Sequence, residues 1–130
     1  DLIVSNPPFF SSNFKSKNAA KNLAVHDEYL PQGMLLTSIK STLTENGKAF
    51  IIYPEYEADQ IKKIADEYGL HATEALVIKN KPGSTVFRKI IALTKKLPLE
   101  KPAQELHIRN GQNEFTQEYV DLLKPFYLHL

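Results

Sequence analysis

The spacing of apolar residues in the first half of the chain predicts strands and helices in alternation. Continuous apolar runs at 2–4 and 48–53 are typical of strands that are covered on both faces. Apolar residues at helical spacing predict helices over about 28–45 and 55–68, each ended by a glycine. The order strand, helix, strand, helix indicates a parallel α/β sheet with right-handed crossovers. The helix positions expected to face the core are Leu35, Ile39, Leu43, Ala58, Ile61, Ile64, Ala65 and Tyr68.

The second half predicts a pair of antiparallel strands. Strands are expected over 70–80 and 85–96, and the segment 80–84 between them contains a Pro-Gly pair that marks a turn. Because the turn between the two runs is short, the strands are expected to pair in opposite directions.

A short alternating strand and a final helix are predicted after the segment 98–102, which has the composition of a linker. The strand covers 105–109, and the helix begins at about Thr116, a residue that is favoured as an N-cap. Pro125 is expected to kink or split this helix. The apolar stripe expected on it consists of Tyr119, Val120, Leu123, Phe126, Tyr127 and Leu130.

Composition narrows the class of protein. A chain of 130 residues forms one domain or part of one, and its apolar fraction is that of a soluble globular protein. The absence of cysteine excludes disulfides, a thiol nucleophile and a zinc–thiolate site. No run approaches the ~20 apolar residues that a membrane span needs, so a cytoplasmic location is expected. A net charge of +1 gives no overall signature of nucleic-acid binding.

The first predicted strand ends in a stretch that carries candidate chemistry. Asn6 follows the strand, Pro7 and Pro8 form a stiff turn, and the rings of Phe9 and Phe10 come next. In open α/β sheets, ligands bind at the carboxyl ends of strands. The Asn6 side-chain oxygen and the Pro7 carbonyl could accept hydrogen bonds from the amine of a planar base, while Phe9 stacks on it. The alternative is an ordinary Asn-Pro-Pro turn with core aromatics.

Positive charge is concentrated in the predicted pair of antiparallel strands. Residues 75–99 include no Asp or Glu but six basic residues: Lys79, Lys81, Arg88, Lys89, Lys95 and Lys96. Such an imbalance on a nearly neutral chain suggests contact with a polyanion. Phosphate contact is favoured for Lys79 and Lys81, whereas Lys95 and Lys96 are expected to protect an edge strand from aggregation.

Two stretches resemble one enzyme family. Residues 1–9 (DLIVSNPPF) resemble motif IV of the Rossmann-like, S-adenosylmethionine-dependent amino-methyltransferases. The segments 106–110 (LHIRN), 115–119 (FTQEY) and 126–128 (FYL) are similar to the C-terminal region of the bacterial valine tRNA (adenine(37)-N6)-methyltransferases. The resemblance extends over essentially the whole chain, and its tail is the more specific part.

The resemblance implies a fold and a reaction. It implies the C-terminal half of a Rossmann-like α/β methyltransferase sheet, with parallel strands, one reversed strand and flanking helices. Residues 1–97 would belong to the catalytic domain, and 98–130 would form a family-specific strand and helix packed on it. The reaction would be N6-methylation of adenine 37 in valine tRNA, with S-adenosylmethionine as cofactor.

Site roles follow from the same resemblance. The implied catalytic residues are Asn6, Pro7, Pro8 and Phe9, and Asn6 would also contact the cofactor. The residues expected to bind substrate are Phe9 and Phe10 and, from the concentration of positive charge, Lys79, Lys81 and Arg88.

One departure from the family concerns the cofactor. The chain contains no Gly-x-Gly, so the glycine-rich loop that holds S-adenosylmethionine in this family is absent. We therefore expect the chain to correspond to the C-terminal part of a longer enzyme and to be inactive alone. The first strand would then have a bare edge, which predicts self-association or disorder of residues 1–20.

Several alternatives stay open at the level of sequence. Residues 11–27 could form a wall of the base pocket or a solvent loop, and His26 could be an acid–base group or a residue at a helix start. Arg109 could face RNA or form a structural ion pair. The enzyme could instead methylate DNA, ribosomal RNA or a protein glutamine, or the chain could be a non-catalytic RNA-binding module.

Overall fold

A computed structural model describes residues 1–7, 30–99 and 101–127. Three α-helices, two 3₁₀ turns and five strands occur in these ranges. In chain order they are β1 (Leu2–Ser5), α1 (Leu30–Thr42), β2 (Lys48–Tyr53), α2 (Glu55–Ile64), a 3₁₀ turn (Ala65–Tyr68), β3 (His71–Lys79), β4 (Val86–Thr94), β5 (Gln104–His107), α3 (Gln117–Leu123) and a second 3₁₀ turn (Lys124–Phe126).

The five strands form one mixed sheet in the order β1-β2-β4-β3-β5. β1 and β2 are parallel, with Ile3 opposite Ala49, and β4 runs antiparallel to both of its neighbours. β5 is parallel to β3. The predicted parallel α/β unit and the reversed strand are therefore confirmed, and the structure adds that β4 lies between β2 and β3.

The core lies between α1, α2 and one face of the sheet. Helix positions Leu36, Ile39 and Ile61 pack there against Ile51 and Ile91, and all five are buried. Leu35 is only half-buried, because Leu36 lies in its place on the face of α1 that meets the sheet, together with the predicted Ile39 and Leu43. The left-handed φ of 68° at Gly69 ends the 3₁₀ turn after α2, as expected of a glycine cap.

The opposite face of the sheet is more open. Residues of β2 alternate between buried positions such as Ile51 and half-buried ones such as Phe50 and Ile52. Val4, which pairs with Phe50, is 74% exposed. The expectation that β2 is covered on both faces is therefore wrong for the described residues, where helices α1 and α2 cover one face only.

The predicted role of Lys95 and Lys96 as protection of an edge strand is also wrong. They follow β4, an interior strand, so they have no exposed edge to guard. Lys95 instead lies 3.8 Å from the carboxylate of Glu45, and Lys96 donates to Asn46 Oδ1 at 2.6 Å. These contacts fasten the end of β4 to the loop after α1.

The C-terminal helix begins after the predicted N-cap, Thr116, and is interrupted at the predicted proline. Thr116 Oγ1 accepts a hydrogen bond from the Tyr119 N–H at 3.2 Å and donates to the His107 carbonyl at 2.6 Å. The α-helix ends at Leu123 and the 3₁₀ turn that includes Pro125 follows, which confirms the split at that proline. The predicted apolar stripe does not extend to Phe126 and Tyr127, which are 81% and 57% exposed. Leu130 lies outside the described residues.

Candidate functional site

The carboxyl end of β1 presents the candidate amide at the surface. Asn6 and Pro7 follow Ser5, the last residue of the strand, and Ser5 pairs with Ile51 of the parallel strand β2. Asn6 is exposed and Pro7 is half-buried. The amide is therefore open to a ligand at the edge where parallel strands end. The other residues assigned to this site, Pro8, Phe9 and Phe10, lie outside the described residues, as do 11–27 and His26.

The neighbouring strand β2 ends in a buried tyrosine. Tyr53 is 3% exposed and is followed by Pro54, after which α2 begins. Burial raises the pKa of the Tyr53 hydroxyl, and the nearby charge of Glu57 raises it further. Tyr53 therefore stays neutral over the physiological range, and its ring packs the end of β2 against the helix layer.

A buried lysine lies beside this tyrosine and was not recognised in the sequence as a structural residue. Lys89 of β4 pairs with Tyr53 and is only 8% exposed. Its ammonium lies 2.9 Å from Asp59, 3.2 Å from Glu74 and 3.6 Å from Glu55. These contacts tie α2 to the sheet next to the end of β2.

The protonation states of this network follow from its hydrogen bonds. Burial alone lowers the pKa of Lys89, but hydrogen bonds to Asp59 and Glu74 outweigh it and raise that pKa above its ordinary value. Burial raises the pKa of Glu74, but hydrogen bonds from Lys62, at 3.0 Å, and Lys89 lower it overall. The lysine is thus charged at neutral pH and has no tendency to act as a base. A basic residue within an apolar strand was the only signal of this network in the sequence.

The basic hairpin between β3 and β4 is built around a tight turn. Ser84 N–H donates to the Lys81 carbonyl at 3.1 Å, and Ser84 Oγ donates to the same oxygen at 2.8 Å. Gly83 has a φ of 76°, a left-handed conformation that glycine adopts without strain. The predicted turn is confirmed, and it carries Lys81 at an exposed position.

The three cations assigned to substrate binding differ in their surroundings. Lys79 is paired with Glu105 of β5 at 2.7 Å, and this hydrogen bond is the main reason why the pKa of Glu105 is lowered. Arg88 lies over the ring of Phe87, 4.4 Å from its centroid. Lys79 therefore has a carboxylate partner on the neighbouring strand β5.

Arg109 lies beside this hairpin. Its backbone N–H donates to the Asn80 carbonyl at 2.8 Å, which joins the segment after β5 to the hairpin turn. Its guanidinium lies over the ring of Phe115, 4.3 Å from the centroid, and the Phe115 ring stacks with Tyr119 at 5.3 Å and 19°. Arg109 forms no ion pair with a carboxylate of the described residues, so the alternative of a structural ion pair finds no support there.

The described ranges contain neither a metal-binding cluster nor a membrane-spanning helix. No group of three or more His, Cys, Asp or Glu side chains could hold a metal ion within residues 1–7, 30–99 and 101–127. None of the helices in the described part of the chain is both long enough and apolar enough to cross a membrane.

Comparison with known proteins gives one consistent group of relatives. Over 98% of its length the chain is 36% identical to the tRNA1(Val) (adenine(37)-N6)-methyltransferase of Trichodesmium erythraeum. Over its whole length it is 33% identical to the protein of that name from Bacteroides thetaiotaomicron and 31% identical to the one from Flavobacterium johnsoniae. The chain spans 53–55% of these relatives. No family model matches the chain.

A solved structure supports the fold. The crystal structure described as that of a predicted O-methyltransferase from Agrobacterium tumefaciens matches 95% of the chain with a TM-score of 0.56, at 16% sequence identity. The match covers 50% of that protein, so here too the chain corresponds to about half of its neighbour. The sheet is thus of the Rossmann-like methyltransferase type, and the chain is homologous, along its whole length, to about half of the tRNA1(Val) (adenine(37)-N6)-methyltransferases.

Proposed function

We propose that this chain belongs to an S-adenosylmethionine-dependent enzyme that methylates N6 of an adenine in tRNA, and that it forms the half that holds the amine of the substrate. The observation that carries the proposal is the whole-length similarity to the tRNA1(Val) methyltransferases, combined with an exposed Asn6 at the carboxyl end of β1. Adenine 37, the position in the name of those relatives, is the proposed target.

The proposed chemistry starts from the weakness of the nucleophile. The lone pair of an adenine amino group is delocalised into the ring, so the amine attacks a methyl group poorly. The Asn6 carboxamide oxygen and the Pro7 carbonyl would accept hydrogen bonds from its two N–H groups and fix the direction of the lone pair. Phe9 would stack on the base once it is extruded from the anticodon loop. Most of the rate enhancement would come from positioning.

The cofactor supplies an electrophilic methyl group to this arrangement. The exposed Asn6 amide, which is followed in the sequence by two prolines without backbone N–H groups, fits the role of accepting hydrogen bonds from the amine. The chain contains no Gly-x-Gly, the sequence signal of a loop that holds S-adenosylmethionine. We therefore assign only Asn6 to cofactor contact and expect the 130 residues alone to be inactive.

Substrate binding is proposed for the basic hairpin. Lys79, Lys81 and Arg88 would contact the tRNA backbone, and Lys79 is also paired with Glu105. Phe10 would extend the base-binding wall begun by Phe9. Such an enzyme works on cytoplasmic tRNA, which supports a cytoplasmic location.

The division of the chain into 1–97 and 98–130 also belongs to the proposal. Its support is the parallel pairing of β5 with β3, which extends the sheet, and the hydrogen bond between Thr116 and His107, which holds α3 to β5. The segment 98–130 would thus complete the sheet beside the hairpin and carry no catalytic residue.

The test is a methylation assay with the full-length protein. Transfer of labelled methyl from S-adenosylmethionine is expected to valine tRNA with adenine at position 37 and not to the same tRNA with guanine there. Equal labelling of both tRNAs would contradict the position, and labelling of DNA, ribosomal RNA or protein alone would contradict the substrate class.

A further inference from the structure

The turn after β5 contains Arg109, to which the proposed methylation chemistry assigns no role. Arg109 and Phe115 form an isolated antiparallel bridge, and the chain between them folds into a turn around Asn110. The Asn110 side-chain oxygen accepts hydrogen bonds from the Gln112 and Glu114 N–H groups, at 2.9 and 3.0 Å. This turn therefore presents the Arg109 side chain from a fixed backbone.

The guanidinium itself is held from two sides. Nη1 donates to the Asn113 carbonyl at 2.7 Å, and the group lies over the Phe115 ring, which Tyr119 supports from α3. A guanidinium has five N–H donors, and one of them is accounted for by this bond. Because the side chain is already ordered, binding through the remaining donors has a reduced entropic cost.

The electrostatic setting favours an anionic partner. Glu105 of β5 is paired with Lys79, whereas Glu114, the only acid in the turn, accepts a hydrogen bond from the neutral Asn110 amide at 3.1 Å. The Arg109 N–H bond to Asn80 places its backbone next to that of Lys81. Since β4, β3 and β5 are adjacent strands about 4.8 Å apart, the positive charges of the hairpin and Arg109 share one end of the sheet.

We propose that Arg109 is an RNA-contacting residue, which donates to a phosphate of the tRNA backbone beside Lys81 and Arg88. The inference rests on the proposed function, because the expected ligand is its substrate. Arginine matches phosphate geometry with its fork of N–H groups, and the aromatic pair fixes the direction of that fork. Phe115 and Tyr119 are thus positioning residues for Arg109.

The experiment measures tRNA binding by the full-length protein at several salt concentrations. Arg109→Gln removes the charge but keeps a polar side chain with N–H donors. We expect it to weaken binding of unmodified valine tRNA about tenfold at low salt and to reduce the slope of log K against log salt by about one. Lys63→Ala is the matched control, since Lys63 is an exposed cation on α2 with no place in the basic hairpin; it should change neither quantity.

Two further variants separate an electrostatic role from a structural one. Arg109→Lys keeps the charge, so it should retain the salt slope while losing part of the affinity. Phe115→Leu leaves the charge but releases the guanidinium, so a loss of about threefold with an unchanged slope is expected. Circular dichroism of each variant checks the fold.

The outcomes distinguish this inference from the proposed function. Wild-type affinity and slope in Arg109→Gln, in a protein that methylates tRNA, would overturn the role of Arg109 and leave the function intact. An equal loss of affinity in Arg109→Gln and Arg109→Lys, with the slope unchanged in both, would make the role structural and overturn it as well. Absence of tRNA binding by the wild type would overturn both.

Discussion

Replacing Lys89 by methionine tests the network that ties α2 to the sheet. The ammonium is buried and lies within 3.6 Å of three carboxylates, of which Glu74 is the least exposed at 24% of its side chain. Removing one partner of a fully buried ion pair costs about 3–5 kcal/mol. Because Asp59 and Glu55 keep roughly half of their exposure to water, we expect a loss of about 2–3 kcal/mol at pH 7.

The stability difference between wild type and Lys89→Met should depend on pH through the ionisation of Glu74. The pKa of Glu74 is lowered in the folded protein relative to its ordinary value of 4.5. Its contribution to stability is therefore fully present above pH 4.5 and is lost as the pH falls through the lower, folded-state pKa. In Lys89→Met the pKa of Glu74 should rise, so the difference in stability between wild type and variant should shrink as the pH is lowered from 7 to 3.

The assay is urea unfolding of the full-length protein at pH 7, 5 and 3, followed by circular dichroism. Lys62→Met is the matched control, because Lys62 also bonds Glu74 but keeps 36% of its side-chain exposure, and it should cost less than about 1 kcal/mol. A Lys89→Met protein as stable as the wild type at pH 7 would refute the reasoning. So would a deficit of the same size at all three pH values.

Three further predictions concern other parts of the chain. Thr116→Ala should lower the unfolding free energy by about 1 kcal/mol through loss of the N-cap, whereas Thr116→Ser should cost much less; equal urea midpoints for both would contradict the cap. β1 lies at the edge of the sheet in the described residues, so light scattering should show that the isolated 130 residues self-associate, and Val4→Lys should reduce this association. A monomeric wild type would contradict the prediction that the edge of β1 recruits another chain. Calorimetry should detect no micromolar binding of S-adenosylmethionine by the same 130 residues, and such binding would show that the missing loop is not needed.

Local elements of the fold were predictable because their signals are local. The bounds of β2 agree with the apolar run 48–53, the hairpin follows from the Pro-Gly pair, and Thr116 caps the last helix. The position of β4 between β2 and β3 was not predictable in the same way. Strand order depends on which distant segments pair, and the hydrophobic pattern within a strand does not record its neighbours.

Charged residues were the main source of error. Three charged residues of α2, Glu55, Asp59 and Lys62, take part in the network around Lys89 and Glu74, and no local pattern in the sequence indicates this. The six cations of 75–99 predict a positively charged surface that contacts a polyanion. Lys79, Lys89 and Lys95 are in fact paired with acids from other segments, since ion pairs form between residues far apart in sequence.

The candidate amide site was predictable as far as its place in the fold. A polar residue directly after an apolar strand must lie at the strand's carboxyl end, and Asn6 lies there, exposed. The roles of Pro8, Phe9 and Phe10 stay predictions, because they fall outside the described residues. The stack on Arg109 had no signal in the sequence, since Phe115 and Tyr119 meet it only through the fold of the turn.

Turnover and tRNA affinity of Asn6→Ala, measured together in the full-length protein, test the central claim most directly. Loss of a hydrogen-bond acceptor that positions the reacting amine should reduce methyl transfer by about 100-fold or more. The affinity for valine tRNA should stay within about twofold of the wild type, because backbone contacts lie elsewhere. Methyl transfer at the wild-type rate in Asn6→Ala would contradict the assignment of the amine-binding site to the end of β1.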